Sequence, residues 1–118
     1  MKHVLIVEDD ADIREILAEM LTASGYRVTS VSNGLEALQA LARDTPSVVV
    51  LDLMMPVMDG WELRQRMLAD PALRDIPVII MSGSANLAQS TMHLRPARVL
   101  RKPVPLNDVL DAVVPFGA

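Results

Sequence analysis

Short unbroken apolar runs alternate along this chain with stretches in which apolar residues recur every three or four positions. The first run is His3–Val7, and a run of this kind is typical of a strand buried on both faces of a parallel sheet. The next stretch, residues 13–21, carries an apolar stripe of helical period and ends at Ser24 and Gly25, where glycine suits a helix C-terminus. The pattern predicts a strand followed by an amphipathic helix.

This pair of elements recurs along the rest of the sequence. Further strands are predicted at residues 27–31, 48–51, 77–81 and 99–100. Further helices are predicted from the Ser32-Asn33 cap to before Pro46, from Asp59 to Pro71, over residues 86–94 as a weak helix, and over residues 106–113. The second helix is expected to bury Leu35, Leu38 and Leu41. Five strands alternating with five helices predict an open parallel α/β sheet with right-handed crossovers, in a single domain of residues 1–118.

Size and composition exclude several classes of protein. With 118 residues, 51% of them apolar, the chain suits one domain with one core. A net charge of −4 leaves no excess of basic residues to neutralise phosphates, so we expect no direct binding of nucleic acid. No apolar stretch approaches the ~20 residues of a membrane span, and the absence of cysteine excludes disulfides and thiolate metal sites. We expect a cytoplasmic protein without membrane contact.

Reactive or charged residues stand at four of the five predicted strand ends. Glu8 and Asp9 follow the first strand, and Asp52 ends the third. Ser82 follows the fourth strand, and Lys102 follows the fifth. Because ligands of such sheets bind outside the carboxyl ends of the strands, these side chains are expected at one rim. Three carboxylates gathered there would repel one another without a cation, and oxygen ligands without histidine or cysteine favour Mg²⁺.

The strand-end residues and other polar residues of the chain also have structural explanations. Acidic residues before a helix usually cap it and complement its dipole, which would account for Asp10 or Asp12. Taken alone, Asp52 suits a solvated turn and Lys102 a solvated surface. A group of Arg95, Arg98 and Arg101 suits a solvated rim or a protein contact, and His3 and His93 are too far apart for a metal pair. The joint occurrence at matching strand ends favours a functional site.

Four motifs, in this order, resemble those of the receiver domain of two-component response regulators: VLIVEDDADIR, VVVLDLMMPVMDG, PVIIMSGSA and VLRKPVPLNDVL. The similarity covers essentially the whole chain. It implies a flavodoxin-like, doubly wound (βα)5 fold in which Asp52 accepts a phosphoryl group. It also implies that Asp52, Glu8, Asp9 and the backbone carbonyl of Met54 hold Mg²⁺.

Two further positions match the family's active groups. Ser82 and Lys102 correspond to its hydroxyl and lysine, and the Lys102-Pro103 bond resembles its cis peptide. Mg²⁺, the ammonium and the hydroxyl would neutralise the phosphoryl oxygens, while the carboxylate attacks without a general base.

The resemblance implies a switch rather than a turnover enzyme. A sensor histidine kinase, a phosphotransfer protein or a small acyl phosphate would donate the phosphoryl group, and slow hydrolysis would remove it. The chain would catalyse only its own phosphorylation and dephosphorylation. The signal would alter the surface of the last two helices and the fifth strand for a downstream protein, or for an output domain missing from this chain.

Two departures from the family pattern carry further hypotheses. Val99 stands where many members have an aromatic residue, so we expect backbone displacement over residues 82–84 and at Arg95-Pro96 to carry the signal. Met54 and Ser84 flank the expected path of attacking water, so we expect slow hydrolysis.

Two functions of other classes stay open at this point. A hydrolase or phosphatase could use Asp52 as a covalent nucleophile, although no second acid stands two residues later and no cap domain is present. A phosphorylation-independent interaction module could keep the fold, although the complete set of site residues argues against it.

Overall fold

The predicted parallel sheet is present in the computed structural model, which describes residues 2–83 and 91–116. Its strands are β1 (His3–Val7), β2 (Arg27–Val31), β3 (Val48–Asp52), β4 (Val78–Ser82) and β5 (Arg98–Arg101). All pairs are parallel, and the strand order is β2-β1-β3-β4-β5. This is the flavodoxin-like doubly wound order, and its direction reverses between β1 and β3. The carboxyl ends of these two strands therefore flank the crevice where such sheets bind ligands.

Three strands, β3, β4 and β5, extend one residue further at their carboxyl ends than the apolar pattern predicts. Asp52 is the last residue of β3 and pairs in register with Met81, and Ser82 is the last residue of β4 and pairs with Arg101. The ladder continues because the neighbouring strand still offers backbone partners, whatever the polarity of the side chain. Both polar residues are consequently held by the sheet itself rather than by a following loop.

Four helices lie within the described residues: α1 (Ala11–Ala23), α2 (Gly34–Arg43), α3 (Gly60–Ala69) and α4 (Leu106–Val113). The first three begin at a side-chain cap, from Asp10, Asn33 and Asp59 respectively. Asp10 accepts from the amides of Asp12 and Ile13 at 2.9 and 3.1 Å, so its capping explanation is confirmed. Most of the helix expected over residues 86–94 lies outside the described residues, which include its end as a 3-10 turn, Met92–Leu94.

The helices form one apolar layer on each face of the sheet. Helices α1 and α4 pack on one face, with Leu17, Leu21, Val109 and Val113 among their buried residues. Helices α2 and α3 pack on the other face through residues that include Ala37, Leu41, Leu63 and Met67. Alternate residues of the central strands face the two layers, which is why these strands are apolar throughout. No helix within the described residues is long and apolar enough to cross a membrane.

The buried stripe of α2 differs from the predicted one. Leu35 is 46% exposed, whereas Gly34, Ala37 and Leu41 face the core. The cause is a close approach at the start of the helix, where the amide of Gly34 donates to the carbonyl of Met58 at 2.9 Å. A Cβ at Gly34 would lie 2.7 Å from the Met58 Cγ, so glycine allows the contact that sets the rotation of α2.

Candidate functional site

Three acidic side chains from two strand ends meet at the crevice between β1 and β3. One carboxylate oxygen from each of Glu8, Asp9 and Asp52 lies within 4.8 Å of the other two. Glu8 is fully buried and Asp52 is 2% exposed, whereas Asp9 is exposed. The sheet thus places two buried carboxylates side by side, with a third at the solvent boundary. We call this set the acidic group.

Lys102 joins the two buried members of the acidic group. Its Nζ lies 3.0 Å from Glu8 Oε1 and 3.2 Å from Asp52 Oδ1. The amide of Lys102 donates to the carbonyl of Ser82 at 2.9 Å, which fixes the chain after β5 against the end of β4. The peptide bond between Lys102 and Pro103 is cis, as the family resemblance implies. Residues separated by 94 positions in the sequence are therefore in direct contact.

Burial and neighbouring charges shift the pKa values of Glu8 and Lys102. Burial raises the pKa of Glu8 to about 7, Asp52 adds to the rise, and the hydrogen bond from Lys102 opposes it. Burial alone would lower the pKa of Lys102, but its hydrogen bond to Glu8 and the charge of Asp52 leave that pKa above its ordinary value. The acidic group therefore favours positive charge, either as a proton on Glu8 or as a cation among the carboxylates.

The ligands on offer suit a hard divalent cation. All three ligand atoms are carboxylate oxygens, the kind that Mg²⁺ and Ca²⁺ prefer. Neither histidine belongs to this set: His3 lies near Asp44, and His93 lines another cavity. The residues present are consequently compatible with Mg²⁺ and offer no soft ligand for a transition metal.

The loop that carries Glu8 and Asp9 is held from α1, a contact that the sequence analysis missed. Arg14 Nη1 donates to the carbonyl of Glu8 at 2.8 Å and to that of Asp9 at 3.4 Å. Glu8 Oε2 also accepts from the amide of Asp10 at 3.3 Å. Arg14 belongs to the first quoted motif, but its role depends on the path of the loop, which apolar periodicity does not show.

Helix α3, which follows Asp52 in the sequence, packs closely against the end of β3. The amide of Gly60 donates to the carbonyl of Leu53 at 2.9 Å. A Cβ at Gly60 would lie 2.7 Å from both the Asp52 carbonyl oxygen and the Leu53 Cα. The Asp59-Gly60 pair therefore caps α3 and lets its first turn pack directly against the strand end that carries Asp52.

The remaining predicted residues are placed as follows. Ser82 is 1% exposed at the end of β4, on the strand next to Asp52. The amide of Met54 lies 3.4 Å from Asp52 Oδ1, and the Met54 side chain is 66% exposed. Val99 is half-buried in β5, and Ser84 lies outside the described residues. The roles assigned to these residues stay predictions.

A family model of the response regulator receiver domain matches residues 4–114. The chain belongs to this family. The receiver domain is 36% identical over 116 residues to the response regulator receiver protein CpdR of Brucella abortus, across 96% of this chain and 94% of that protein. It is 35% identical over 115 residues to sporulation initiation phosphotransferase F of Bacillus subtilis, across 95% and 90% respectively.

Other matches concern longer proteins and solved structures. The receiver domain spans only 32% of a relative named a probable transcriptional regulator, ycf27 of Pyropia yezoensis. A solved structure of the response regulator TrrA from Thermotoga maritima, in complex with Mg²⁺ and BeF, has a TM-score of 0.86 and 25% identity. That match covers 98% of this chain and 99% of the TrrA chain.

Proposed function

We propose that this receiver domain is a phosphoacceptor switch, with Asp52 as the residue that is phosphorylated. A carboxylate oxygen of Asp52 forms the new P–O bond while the P–N bond to a phosphohistidine of the donor breaks. The donor is a sensor histidine kinase or a phosphotransfer protein, and a small acyl phosphate can replace it. The observation that carries this proposal is the contact of one ammonium, Lys102 Nζ, with both Glu8 and Asp52.

Charge neutralisation is the principal task of such a site. A phosphoryl group in transfer carries negative charge on its equatorial oxygens, so it needs positive charge and hydrogen-bond donors around it. Lys102 stands beside Asp52 and supplies an ammonium, and Ser82, on the neighbouring strand, supplies a hydroxyl. Burial of Asp52 limits the competition of water for these contacts.

A divalent cation completes the proposed site. Glu8, Asp9, Asp52 and the backbone carbonyl of Met54 would hold Mg²⁺, and the acidic group fits that ion in its oxygen ligands and excess negative charge. When bound, Mg²⁺ supplies Lewis-acid stabilisation of the phosphoryl oxygens. The TrrA structure contains Mg²⁺ together with BeF, which supports the proposal by analogy.

The proposed chemistry is stoichiometric rather than a turnover reaction on an external substrate. Each domain accepts one phosphoryl group and returns to free Asp52 by hydrolysis. The reaction would take place in the cytoplasm, as expected for the family. Multiple turnover of a phosphomonoester would favour the hydrolase alternative instead.

The proposed docking surface for the donor is an apolar groove between α1 and α4. The groove measures about 400 Å³ and includes Lys102 and Pro103 in its wall, so it is continuous with the phosphorylation site. Ile13, Ile16 and Leu106 line it and are 38%, 48% and 40% exposed. Exposed apolar surface of this kind marks a protein contact, and its continuity with Lys102 favours the protein that brings the phosphoryl group.

The readout is proposed to involve the chain after β4. Movement of the Ser82 hydroxyl toward the phosphoryl group would displace the following backbone and the surface formed with β5 and α4. Val99 offers no aromatic ring to swing inward, so the turn at Arg95-Pro96 would carry the displacement. A downstream protein or an attached output domain would recognise the altered surface.

Intact-mass measurement tests the proposed function. Incubation with Mg²⁺ and a small acyl phosphate should add the mass of one phosphoryl group. The gain should be absent in Asp52→Asn and in the presence of a chelator. A gain that persists in Asp52→Asn would contradict the assignment of the acceptor, and a gain that persists with the chelator would contradict the metal requirement.

A further inference from the structure

A polar cavity lies at the opposite end of the sheet from Asp52. It measures about 720 Å³ and opens between α3, the loop before β4 and the turn before β5. Its described lining includes three guanidinium groups, one imidazole and one carboxylate, from Arg64, Arg74, Arg95, His93 and Asp75. Since β4 rises about 3.3 Å per residue, this basic cavity is on the order of 13 Å from the phosphorylation site.

Arg64 is the central feature of the basic cavity. Its side chain leaves α3 and is 3% exposed. Its Nε donates to the carbonyl of Leu94 at 2.8 Å, and its Nη2 donates to the carbonyl of Arg95 at 3.2 Å. Its Nη1 is buried and has no hydrogen-bond partner within the described part of the chain. One nitrogen of a buried guanidinium therefore lacks an acceptor among the described residues.

The charge of the basic cavity is not balanced by the protein around it. Within residues 2–83 and 91–116, no carboxylate forms an ion pair with Arg64, Arg74 or Arg95. Asp75 lines the same cavity but does not pair with any of them. A buried cation such as Arg64 that has only neutral carbonyl partners is costly. Arg74 and Arg95 are exposed, so water screens the smaller repulsion that they add. An anion between them would remove both penalties.

We propose that the basic cavity binds a small polyanion, with two or more negative charges on phosphate or carboxylate groups. Guanidinium groups present parallel N–H donors that match both kinds of oxyanion. The described lining includes no Phe, Tyr or Trp, so recognition rests mainly on charge and hydrogen bonds rather than on stacking. A volume of about 720 Å³ accommodates a metabolite-sized compound.

Binding of the polyanion joins two parts of the chain that are distant in sequence. Arg64 lies on α3, and Arg95 closes the turn Met92–Leu94 just before β5. A ligand held by both arginines clamps that turn to α3. The polyanion therefore stabilises the folded domain and restrains the backbone that leads into β5.

The test uses inorganic pyrophosphate and citrate as separate probes at constant ionic strength. Titrations are done on Asp52→Asn protein with a chelator present, so neither phosphorylation nor metal contributes. Backbone and arginine side-chain NMR signals should shift saturably at Arg64 Nε, Arg95 and Ala97. The probe with the higher affinity identifies the phosphate or the carboxylate class.

Matched substitutions connect the shifts to the basic cavity. Arg74→Gln and Arg95→Asn should each weaken binding roughly tenfold, which corresponds to about 1.4 kcal/mol. Asparagine suits position 95 because Arg95 has a left-handed backbone, with φ of 50°. Arg43→Gln, an equal loss of charge on α2, should leave the affinity unchanged.

Two results would overturn this inference. One is the absence of saturable shifts with either probe at millimolar concentration. The other is equal weakening by Arg43→Gln and Arg74→Gln, which would indicate a general effect of net charge. Because the protein used has no phosphoacceptor, neither result would bear on the role of Asp52.

Discussion

Lys102 is the residue on which the electrostatics of the proposed phosphorylation site depend. Its ammonium lies between two buried carboxylates, 3.0 Å from Glu8 and 3.2 Å from Asp52. It therefore lowers the repulsion between them in the resting domain. The same position allows it to contact a phosphoryl group on Asp52, so one side chain serves both states.

Replacing the ammonium should affect phosphorylation and metal binding in opposite directions. We expect Lys102→Gln to slow phosphorylation by a small acyl phosphate roughly tenfold or more, because a preorganised positive charge is lost. The Mg²⁺ affinity should rise, since no cation of the chain then competes for the acidic group. Fluorescence of Trp61, half-buried on α3, can report the Mg²⁺ titration.

The chain offers a matched control for this substitution. Lys2 is the other lysine, and Lys2→Gln removes the same charge away from the acidic group. Its phosphorylation rate and Mg²⁺ affinity should equal those of the unsubstituted domain. Weaker Mg²⁺ binding by Lys102→Gln would show that the ammonium supports the metal site rather than competing with the ion.

Glu8 should make the stability of the metal-free domain depend on pH. Its pKa is raised from 4.5 to about 7 in the folded protein, so the folded domain holds the proton more strongly than the unfolded chain. The corresponding stabilisation is complete below about pH 4.5 and is lost as the pH rises through about 7. We expect the contribution of Glu8 to the free energy of unfolding to fall across this range in the presence of a chelator.

The substitution Glu8→Gln isolates this contribution. Urea denaturation at several pH values should give a flatter dependence on pH for Glu8→Gln than for the unsubstituted domain between about pH 5 and pH 8. Parallel curves for the two proteins would contradict the raised pKa. Addition of Mg²⁺ should release a proton in this range, which a weakly buffered titration can measure.

At the scale of elements, the site depends on how closely α3 packs against the end of β3. The amide of Gly60 donates to the carbonyl of Leu53, and the position leaves no room for a side chain. Asp59 caps the same helix by accepting from the amide of Glu62 at 2.9 Å. The local sequence thus fixes the strand end that presents Asp52.

A methyl group at Gly60 should destabilise the domain. Its Cβ would lie 2.7 Å from the backbone of both Asp52 and Leu53, and backbone atoms cannot move away cheaply. We expect Gly60→Ala to lower the free energy of unfolding by about 1–3 kcal/mol, measured by urea denaturation. Gly83→Ala is the control, because a Cβ there meets no atom of the described residues within 4 Å. Equal effects of the two substitutions would contradict the close packing.

The apolar groove between α1 and α4 should contribute to phosphotransfer from protein donors but not to phosphorylation by small acyl phosphates. We expect Ile16→Glu to slow phosphotransfer from a phosphohistidine protein at least tenfold, because a charge replaces apolar contact surface. Phosphorylation by a small acyl phosphate should stay unchanged, since that donor needs no groove. Leu35→Glu is a matched control, because Leu35 is similarly exposed at 46% but lies on the opposite face of the sheet. Equal slowing with both donors would indicate damage to the site itself.

The sequence predicts the elements well, but not all of their limits. All five strands are confirmed, because unbroken apolar runs report burial on both faces. The apolar runs stop one residue short of Asp52 and Ser82, which belong to β3 and β4 because backbone pairing does not depend on side-chain polarity. The predicted buried stripe of α2 was wrong at Leu35. A close contact between Gly34 and Met58 sets the rotation of the helix, and apolar periodicity does not show this contact.

At the scale of the whole molecule, the two ends of one sheet have different chemistry. The carboxyl ends gather the acidic group and its ammonium, and the amino ends of β4 and β5 border the basic cavity. Two apolar layers between helices and sheet connect these ends. A domain with net charge of −4 thereby carries one end lined by carboxylates and another lined mainly by guanidinium groups.

The meeting of the acidic group and Lys102 could be predicted because parallel strands end at one rim. Glu8 and Asp52 stand at the ends of the neighbouring strands β1 and β3. Lys102 follows β5, two strands away from β3, and its ammonium reaches both carboxylates across the end of β4. The basic cavity could not be predicted in this way. Arg64 lies on α3 and reaches carbonyls some thirty residues later, so its contacts depend on tertiary packing. The sequence grouped Arg95 with Arg98 and Arg101, whereas the structure groups it with Arg64 and Arg74.

The most direct test of Asp52 as the phosphoacceptor is to locate the covalent bond on the phosphorylated domain. Borohydride reduces an aspartyl phosphate to homoserine, and peptide mass spectrometry then identifies the modified position. After incubation with Mg²⁺ and a small acyl phosphate, we expect homoserine at position 52 alone, and none when a chelator is present. Homoserine at position 9 or 59, or none in protein that has gained the phosphoryl mass, would contradict this assignment.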